Sequence, residues 1–181
     1  MLTTRDFEII DFLNEYKVAR TSTLSQMFFP SIASCYKRLH ILASKKEIIR
    51  MRDNVSSEYL YYKKRPKQLK HSLLVTDFYR ELSKQVDVVS FKLEFPLGNI
   101  RPDALFGYRK NGKNCLGSLE VQISHKPFDY GKYERLYDSG SYKAFIPVFP
   151  KIFVVSDNNI VPKSNKFDVV LVQTNFSNLR A

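Results

Sequence analysis

Residues 101–108, RPDALFGY, and residues 117–124, GSLEVQIS, decide the fold of the carboxy-terminal part of this chain. Apolar and polar residues alternate in the second stretch, and this period of two predicts a β-strand with one polar face. Glu120 and Gln122 lie on that polar face, while the first stretch places Asp103 at the start of another strand. Acidic oxygens held by neighbouring strands can chelate a hard divalent ion such as Mg²⁺. We therefore expect the polar face to be the functional one.

The chain is strongly basic, and its charge is unevenly distributed. It contains 29 Lys and Arg against 18 Asp and Glu in 181 residues, a formal net charge of +11. Residues 1–70 hold 14 of these cations and 7 of the acids, a net charge of +7. A basic module of this kind is typical of proteins that meet phosphates, so double-stranded DNA is the predicted partner. A surface that is basic only for solubility is the alternative.

Cysteine usage and hydropathy predict a cytoplasmic protein without membrane contact. Cys35 and Cys115 are the only cysteines, and neither has a metal-ligand partner nearby in the sequence, so we expect two buried thiols. Residues 1–10 carry acids where a signal peptide needs an apolar core. No apolar run approaches the ~20 residues that span a bilayer.

The amino-terminal segment predicts three helices in succession. The first begins at Thr3 and Asp6, which have the spacing of a capping box, and continues with apolar residues at helical spacing. A second, short helix is stopped by Pro30. Ser31 caps a third helix that runs to about Lys46. This order predicts a helix-turn-helix.

The third helix and the hairpin after it predict DNA contacts. The helix is expected to bury Ile32, Cys35 or Tyr36, Leu39 and Leu42. Ser34, Lys37 and Arg38 then face outward and fit a major groove. Two β-rich segments around a polar turn predict a wing whose phosphate contacts are Arg50, Arg52, Lys63, Lys64 and Arg65. Residues 1–68 therefore form the predicted winged-helix DNA-binding domain; an ordinary solvated helix face or a protein-binding module is the alternative.

Residues 69–181 predict an α/β domain, which makes the whole chain α+β. An amphipathic helix opens this domain, with an apolar stripe of Leu73, Leu74, Phe78 and Leu82. Five strand segments follow, and a helix around Tyr133 separates the third strand from the fourth. This order predicts a mixed sheet covered by a helix.

The two stretches quoted first resemble the core of PD-(D/E)XK nucleases, in which an acid after proline and an acid-x-lysine triplet bind metal and position water. The resemblance implies Asp103 and Glu120 as catalytic metal ligands, with Mg²⁺ or Mn²⁺ as the cofactor. Gln122 stands at the lysine position, and its amide orients water without neutralising charge. We expect Lys132, on the following helix, to supply the missing charge; phosphate contact or plain solvation is the alternative.

Two further side chains are candidates for that site. Glu81, on the helix that opens the second domain, would contribute another acid, and an ordinary surface glutamate is the alternative. His125 would act as an acid or base, and polar surface is the alternative.

Over most of its length the chain is similar to the replication-relaxation family, which has a winged helix followed by a nuclease-like domain. The matching features are the winged-helix start, HSLLVTDFYREL at 71–82, the two stretches quoted first, and KYERLY at 132–137. The resemblance implies that the protein serves a plasmid or another mobile element, in its replication, transfer or gene regulation.

Two function classes follow from these features. The first is a double-stranded DNA-binding protein whose nuclease-like domain is weak or inactive and contacts a second copy of the chain or replication and transfer proteins. The second is a Mg²⁺-dependent endonuclease targeted by its winged helix. The absence of the motif lysine at Gln122 favours binding, and the retention of Asp103 and Glu120 favours cleavage.

Overall fold

The computed structural model describes residues 1–124, 128–158 and 164–181. The chain is α+β, as predicted, and divides into two compact units, Met1–Arg80 and Glu81–Ala181, called unit 1 and unit 2 below. The division falls inside the fourth helix, later than the predicted boundary after residue 68. Among the described residues no helix is both long enough and apolar enough to cross a membrane.

Unit 1 contains three complete helices, most of a fourth helix, and a three-stranded antiparallel sheet. Its elements are α1 (Thr4–Tyr16), β1 (Ala19–Arg20), α2 (Thr21–Phe28), α3 (Ile32–Ser44), β2 (Ile49–Arg52), β3 (Tyr59–Tyr62) and the larger part of α4 (Leu69–Ser83). The strand order is β1-β3-β2, so β2 and β3 form a hairpin and β1 lies at its other edge. The predicted helices and hairpin are therefore present.

Local signals in the sequence explain where these helices begin and end. The Asp6 carboxylate accepts hydrogen bonds from the backbone N–H of Thr3, at 2.6 Å, and from its hydroxyl, at 2.8 Å. The Ser31 hydroxyl accepts from the Ser34 N–H at 3.3 Å and caps α3. Pro30 follows the end of α2, where a helix cannot continue.

The predicted buried stripe of α3 is correct except at Ile32, and Cys35 rather than Tyr36 is its second member. Cys35, Leu39 and Leu42 are completely buried, whereas Ile32 is 47% exposed and Tyr36 is 42% exposed. Ile32 is the first residue of the helix, so it lies beyond the end of the stripe that meets the core. The first turns of α3 therefore present apolar as well as polar groups to solvent.

The first part of α4 packs within unit 1. Leu73 contacts the buried side chains of Val18, Leu60 and Tyr62, and the Thr76 hydroxyl donates to the Val18 carbonyl at 2.8 Å. The predicted apolar stripe of this helix is buried. Because the first part of α4 packs in this way, the boundary between unit 1 and unit 2 lies within α4 and not before it.

Unit 2 is built on a five-stranded mixed sheet, as predicted. Its elements are β4 (Asp87–Leu93), β5 (Ala104–Lys110), β6 (Lys113–Val121), α5 (Gly131–Ser139), a 3₁₀ turn (Ser141–Ala144), β7 (Lys151–Val155) and β8 (Val169–Val172). The strand order is β4-β5-β6-β7-β8. The first three strands pair antiparallel, while β6, β7 and β8 pair in parallel. Because β6 and β7 are parallel neighbours, the chain between them must cross over the sheet, and α5 lies in that connection.

Both faces of this sheet are covered by apolar side chains. On the α5 face, Tyr133 and Leu136 belong to one core with sheet residues that include Ile152 and Val154. On the other face, the Phe106 ring lies over Gly117, where an added Cβ would be 2.3 Å from a ring carbon. This close approach requires a residue without a side chain at position 117.

Candidate functional site

Asp103 and Glu120 lie beside each other at one end of the β5–β6 ladder. Ala104 pairs with Leu119 in that ladder, so the next residues on the two strands are Asp103 and Glu120. The Asp103 carboxylate accepts a hydrogen bond from the Val121 N–H at 2.7 Å. This carboxylate therefore supplies the acceptor for the backbone N–H of Val121 at the strand end.

Lys132 and Tyr133, at the start of α5, both contact Glu120. The Lys132 ammonium lies 2.8 Å from Glu120 Oε1, and the Tyr133 hydroxyl donates to the same oxygen at 2.7 Å. The structure thus places Lys132 beside Glu120; its predicted role of supplying the charge that Gln122 lacks stays a prediction. Tyr133 was missed, because an aromatic residue in an amphipathic helix is indistinguishable from ordinary core in sequence.

The polar face of β6 is covered by α5. Ser118 is completely buried, and its hydroxyl lies 2.9 Å from the Tyr133 hydroxyl. The Glu120 side chain is 13% exposed and that of Lys132 is 26% exposed. Ser118, Tyr133, Glu120 and Lys132 therefore form one hydrogen-bonded chain that leads from the interior towards solvent.

Burial dominates the electrostatics of this site. It raises the pKa of Glu120 above its usual value, although Lys132 and Tyr133 act to lower it; the nearby charge of Asp103 raises it further. Burial, with the charge of Glu120, also holds the pKa of Tyr133 well above its usual value. The Tyr133 phenol is therefore a protonated donor to Glu120 at neutral pH.

The remaining predicted residues of this site are placed differently. Gln122 follows β6, which ends at Val121, and its side-chain amide donates to the Ser124 hydroxyl at 2.5 Å. Glu81 forms an ion pair with Lys84 at 2.7 Å. The prediction for His125 lies outside the described residues.

The donor chemistry of the site suits Mg²⁺, but the arrangement of its residues does not fit a bound metal ion. Two carboxylates are ligands that Mg²⁺ accepts. However, Glu120 Oε1 and Asp103 Oδ2 already accept hydrogen bonds from protein donors. No group of three or more His, Cys, Asp and Glu side chains in the described ranges could hold a metal ion.

Unit 1 presents a pair of exposed arginines on its hairpin. Arg50 and Arg52 lie on the same face of β2, and their guanidinium groups lie 4.5 and 5.0 Å from the centroid of the Tyr59 ring. Both side chains are exposed. Arg50 also contacts the His40 ring nitrogen at 3.2 Å. Within the described part of the chain, neither arginine has a carboxylate partner.

The predicted DNA-contacting residues of α3 differ in their availability. Lys37 is exposed, whereas Ser34 donates its hydroxyl to the Ser31 carbonyl at 2.8 Å. Arg38 binds Asp6 of α1 through two nitrogens, with an Nε–Oδ1 distance of 2.7 Å. Asp6 is completely buried. The hydrogen bond from Arg38 holds the pKa of Asp6 well below its usual range, so Arg38 is committed to internal packing.

The three cations that follow the hairpin differ in exposure. Lys63 is half-buried, and its ammonium donates to the Glu47 carbonyl, which joins β3 to the segment after α3. Lys64 and Arg65 are exposed. These two side chains, together with Lys37, Arg50 and Arg52, are the exposed cations among the residues predicted to contact DNA.

An ion network that the sequence did not predict anchors the hairpin turn. Arg20 binds Asp53, in the turn between β2 and β3, and also Asp77 of α4, with an Nε–Oδ2 distance of 2.9 Å. Burial acts to raise the pKa of Asp53, but hydrogen bonds from Ser56 and Arg20 lower it to about 2. Burial raises the pKa of Asp77 in spite of its arginine partners.

A scan against protein-family models, a search of curated proteins and a search of solved structures each found no match.

Proposed function

We propose that this protein binds double-stranded DNA through unit 1. The observation that carries the proposal is the arginine pair on Tyr59, two exposed guanidinium groups side by side without a carboxylate in the described residues. Like charges held close together repel each other, and a polyanion removes that cost. The DNA backbone is such a polyanion.

The arrangement of elements supports a winged-helix mode of docking. Helices α1, α2 and α3 precede the β2–β3 hairpin, which is the order of that motif. In this mode α3 enters the major groove and the hairpin contacts the backbone. Lys37 then reaches bases or phosphates, and the hairpin arginines contact phosphates.

The proposed contact set is narrower than the one predicted from sequence. It comprises Lys37, Arg50, Arg52, Lys64 and Arg65, whose side chains are exposed. The Ser34 hydroxyl is assigned to its hydrogen bond with the Ser31 carbonyl, and Arg38 and Lys63 are assigned to the internal contacts described above. Variants at Arg38 or Lys63 would therefore affect DNA binding through the stability of unit 1.

The proposal extends to a mobile-element role with a nuclease-like unit 2 that is weak or inactive. The strand order, with α5 between β6 and β7, supports the nuclease-like architecture. The Lys132 ammonium at Glu120 supports the absence of metal chemistry. The role in replication, transfer or gene regulation rests on the motif resemblance alone, and a second copy of the chain or replication and transfer proteins are the partners it implies.

A salt-dependent titration tests the proposal. The full chain is titrated onto a short fluorescent duplex between about 50 and about 200 mM salt, where each phosphate contact contributes a slope near 0.9. Arg50→Gln with Arg52→Gln should weaken binding and lower the slope by about 2. The matched control is Lys92→Gln with Lys113→Gln, which removes the same charge from exposed positions of unit 2. Unfolding curves verify that both variants are folded.

Two results would contradict the proposal in different ways. Equal losses of affinity in the arginine variant and in the lysine control would show that net charge alone attracts DNA, and would refute the docking surface. Failure of the folded wild-type chain to bind duplex DNA at about 50 mM salt would refute DNA binding itself.

A second candidate function is Mg²⁺-dependent cleavage by unit 2. The observation that favours it is the position of Asp103 and Glu120 on neighbouring strands at one end of their ladder. It requires Lys132 to move away from Glu120 so that metal can bind. Cleavage of supercoiled plasmid with Mg²⁺ or Mn²⁺, abolished by Asp103→Ala and by Glu120→Ala with DNA affinity unchanged, would establish this function.

A further inference from the structure

The Lys132 ammonium is held in place by three groups. Glu120 Oε1 lies 2.8 Å from Nζ, and the centroids of the Phe128 and Tyr133 rings lie 5.6 and 5.4 Å from it. A carboxylate and two aromatic faces attract a cation in concert. The amino group therefore has a defined position at the site and differs from a solvated lysine on a helix surface.

The carboxylates need a cation whether or not metal is present. Glu120 is largely buried beneath α5, and Asp103 adds a second negative charge beside it. An uncompensated buried carboxylate is costly, and a second one nearby increases that cost. Lys132 supplies the compensating charge from within the chain.

The hydrogen bonds also occupy the oxygen that faces α5. A carboxylate oxygen has about two lone-pair positions, and Glu120 Oε1 accepts both the Lys132 ammonium and the Tyr133 hydroxyl. Asp103 Oδ2 accepts the Val121 N–H. A metal ion at Glu120 Oε1 would have to displace one of these donors and then lie beside an ammonium group.

We propose that Lys132 is a built-in cation that takes the place of a divalent metal ion, so that the Asp103–Glu120 pair binds no Mg²⁺ or Mn²⁺ until the lysine is removed. The missing motif lysine at Gln122 is then not replaced by Lys132 for catalysis. Instead, Lys132 converts an acidic metal site into an internal ion pair. This inference concerns unit 2 alone and does not depend on DNA binding by unit 1.

Direct binding of Mn²⁺ to the full chain tests this inference. The loss of the free-ion electron paramagnetic resonance signal is measured for wild type, Lys132→Met, and Lys132→Met with Glu120→Gln. Methionine retains the unbranched apolar stem beside the two rings and removes the charge. We expect Lys132→Met to bind Mn²⁺ at least about tenfold more tightly than wild type, and Glu120→Gln to abolish the gain.

A matched control lies near the other end of α5. Lys166 forms an ion pair with Asp138 at 2.6 Å, but both side chains are substantially exposed. Lys166→Met also removes a lysine from a carboxylate and should create no Mn²⁺ site, because a single solvated carboxylate does not hold the ion. A gain equal to that of Lys132→Met would show that charge removal alone attracts metal, and would overturn the inference.

Measurements on wild type keep the inference testable if Lys132→Met does not fold. Addition of Mg²⁺ or Mn²⁺ should raise the melting temperature of wild type no more than it raises that of Glu120→Gln, because no ion binds at this pair. Glu120-dependent stabilisation or Glu120-dependent Mn²⁺ binding by wild type would overturn the inference. A folded Lys132→Met variant that gains no affinity would overturn it as well.

Discussion

Removing Arg38 should destabilise unit 1 even in the absence of DNA. Its guanidinium donates two hydrogen bonds to Asp6, a carboxylate that is completely buried. Arg38→Met leaves that carboxylate without its cation. Removing one partner of a buried ion pair lowers the free energy of unfolding by about 3–5 kcal/mol. The Arg38 side chain is 27% exposed, so water compensates part of the loss, and we expect about 2–4 kcal/mol.

Asp6→Asn provides the complementary change. The amide oxygen still accepts from Thr3, at the position where the carboxylate bonds at 2.6 Å, so the cap is retained. The amide nitrogen cannot accept from Arg38 Nε, so the charge and that hydrogen bond are lost. The double variant Asp6→Asn with Arg38→Met should be less destabilised than the sum of the two single variants, because the pair is removed together. Urea unfolding followed by helical circular dichroism, which reports mainly on the helix-rich unit 1, measures these differences.

The pH dependence provides a further test of the same pair. Because the pKa of Asp6 is depressed in the folded protein, its contribution to stability is present above the unfolded value near 3.9 and is lost as pH falls below it. Asp6→Asn should remove this part of the acid sensitivity. If Arg38→Met costs less than about 1 kcal/mol and weakens DNA binding as much as Lys37→Gln does, Arg38 is a DNA contact and the internal assignment is wrong.

Three further outcomes follow from the structure. Asp53, with a pKa of about 2, stabilises unit 1 above pH ~4, and this contribution is lost as pH falls towards 2; Asp53→Asn should flatten an acid titration of stability over that range. Cys35 is completely buried and burial raises its pKa to about 12, so iodoacetamide should label the partly exposed Cys115 first, which peptide mass mapping detects. Gly117→Ala should destabilise unit 2 by about 1–3 kcal/mol in thermal unfolding, because its methyl group would overlap the Phe106 ring; an unchanged melting temperature would contradict this reading.

Sequence patterns predicted elements more completely than they predicted burial. The period of two in β6 and the cap at Ser31 act over a few residues, so the strand and the start of α3 were predicted. Burial of Ser118 on the polar face of β6 was not predicted. It depends on α5 crossing that face, and the spacing within β6 contains no information about the crossing.

Lys37 and Arg38 illustrate the limit of sequence reasoning at the proposed DNA surface. They are consecutive, and both were predicted to face outward. One helical residue turns the direction of a side chain by about 100°, which is enough to send Lys37 to solvent and Arg38 to Asp6 of α1. The choice depends on where α1 packs, which is a property of the folded unit.

Apart from β1 and the 3₁₀ turn, the sequence by itself determined the order and type of the elements. It also determined the basic charge of the amino-terminal part and the pair of acids at the ends of β5 and β6. These are local or compositional properties, since caps, periodicities and charge counts do not require distant residues to meet. Only the tertiary structure decided that Lys132 and Tyr133 contact Glu120 and that Arg38 is committed to Asp6. Those pairings join separate elements, and burial then determines their strength, because a charge removed from water must be compensated by the groups that the fold places beside it.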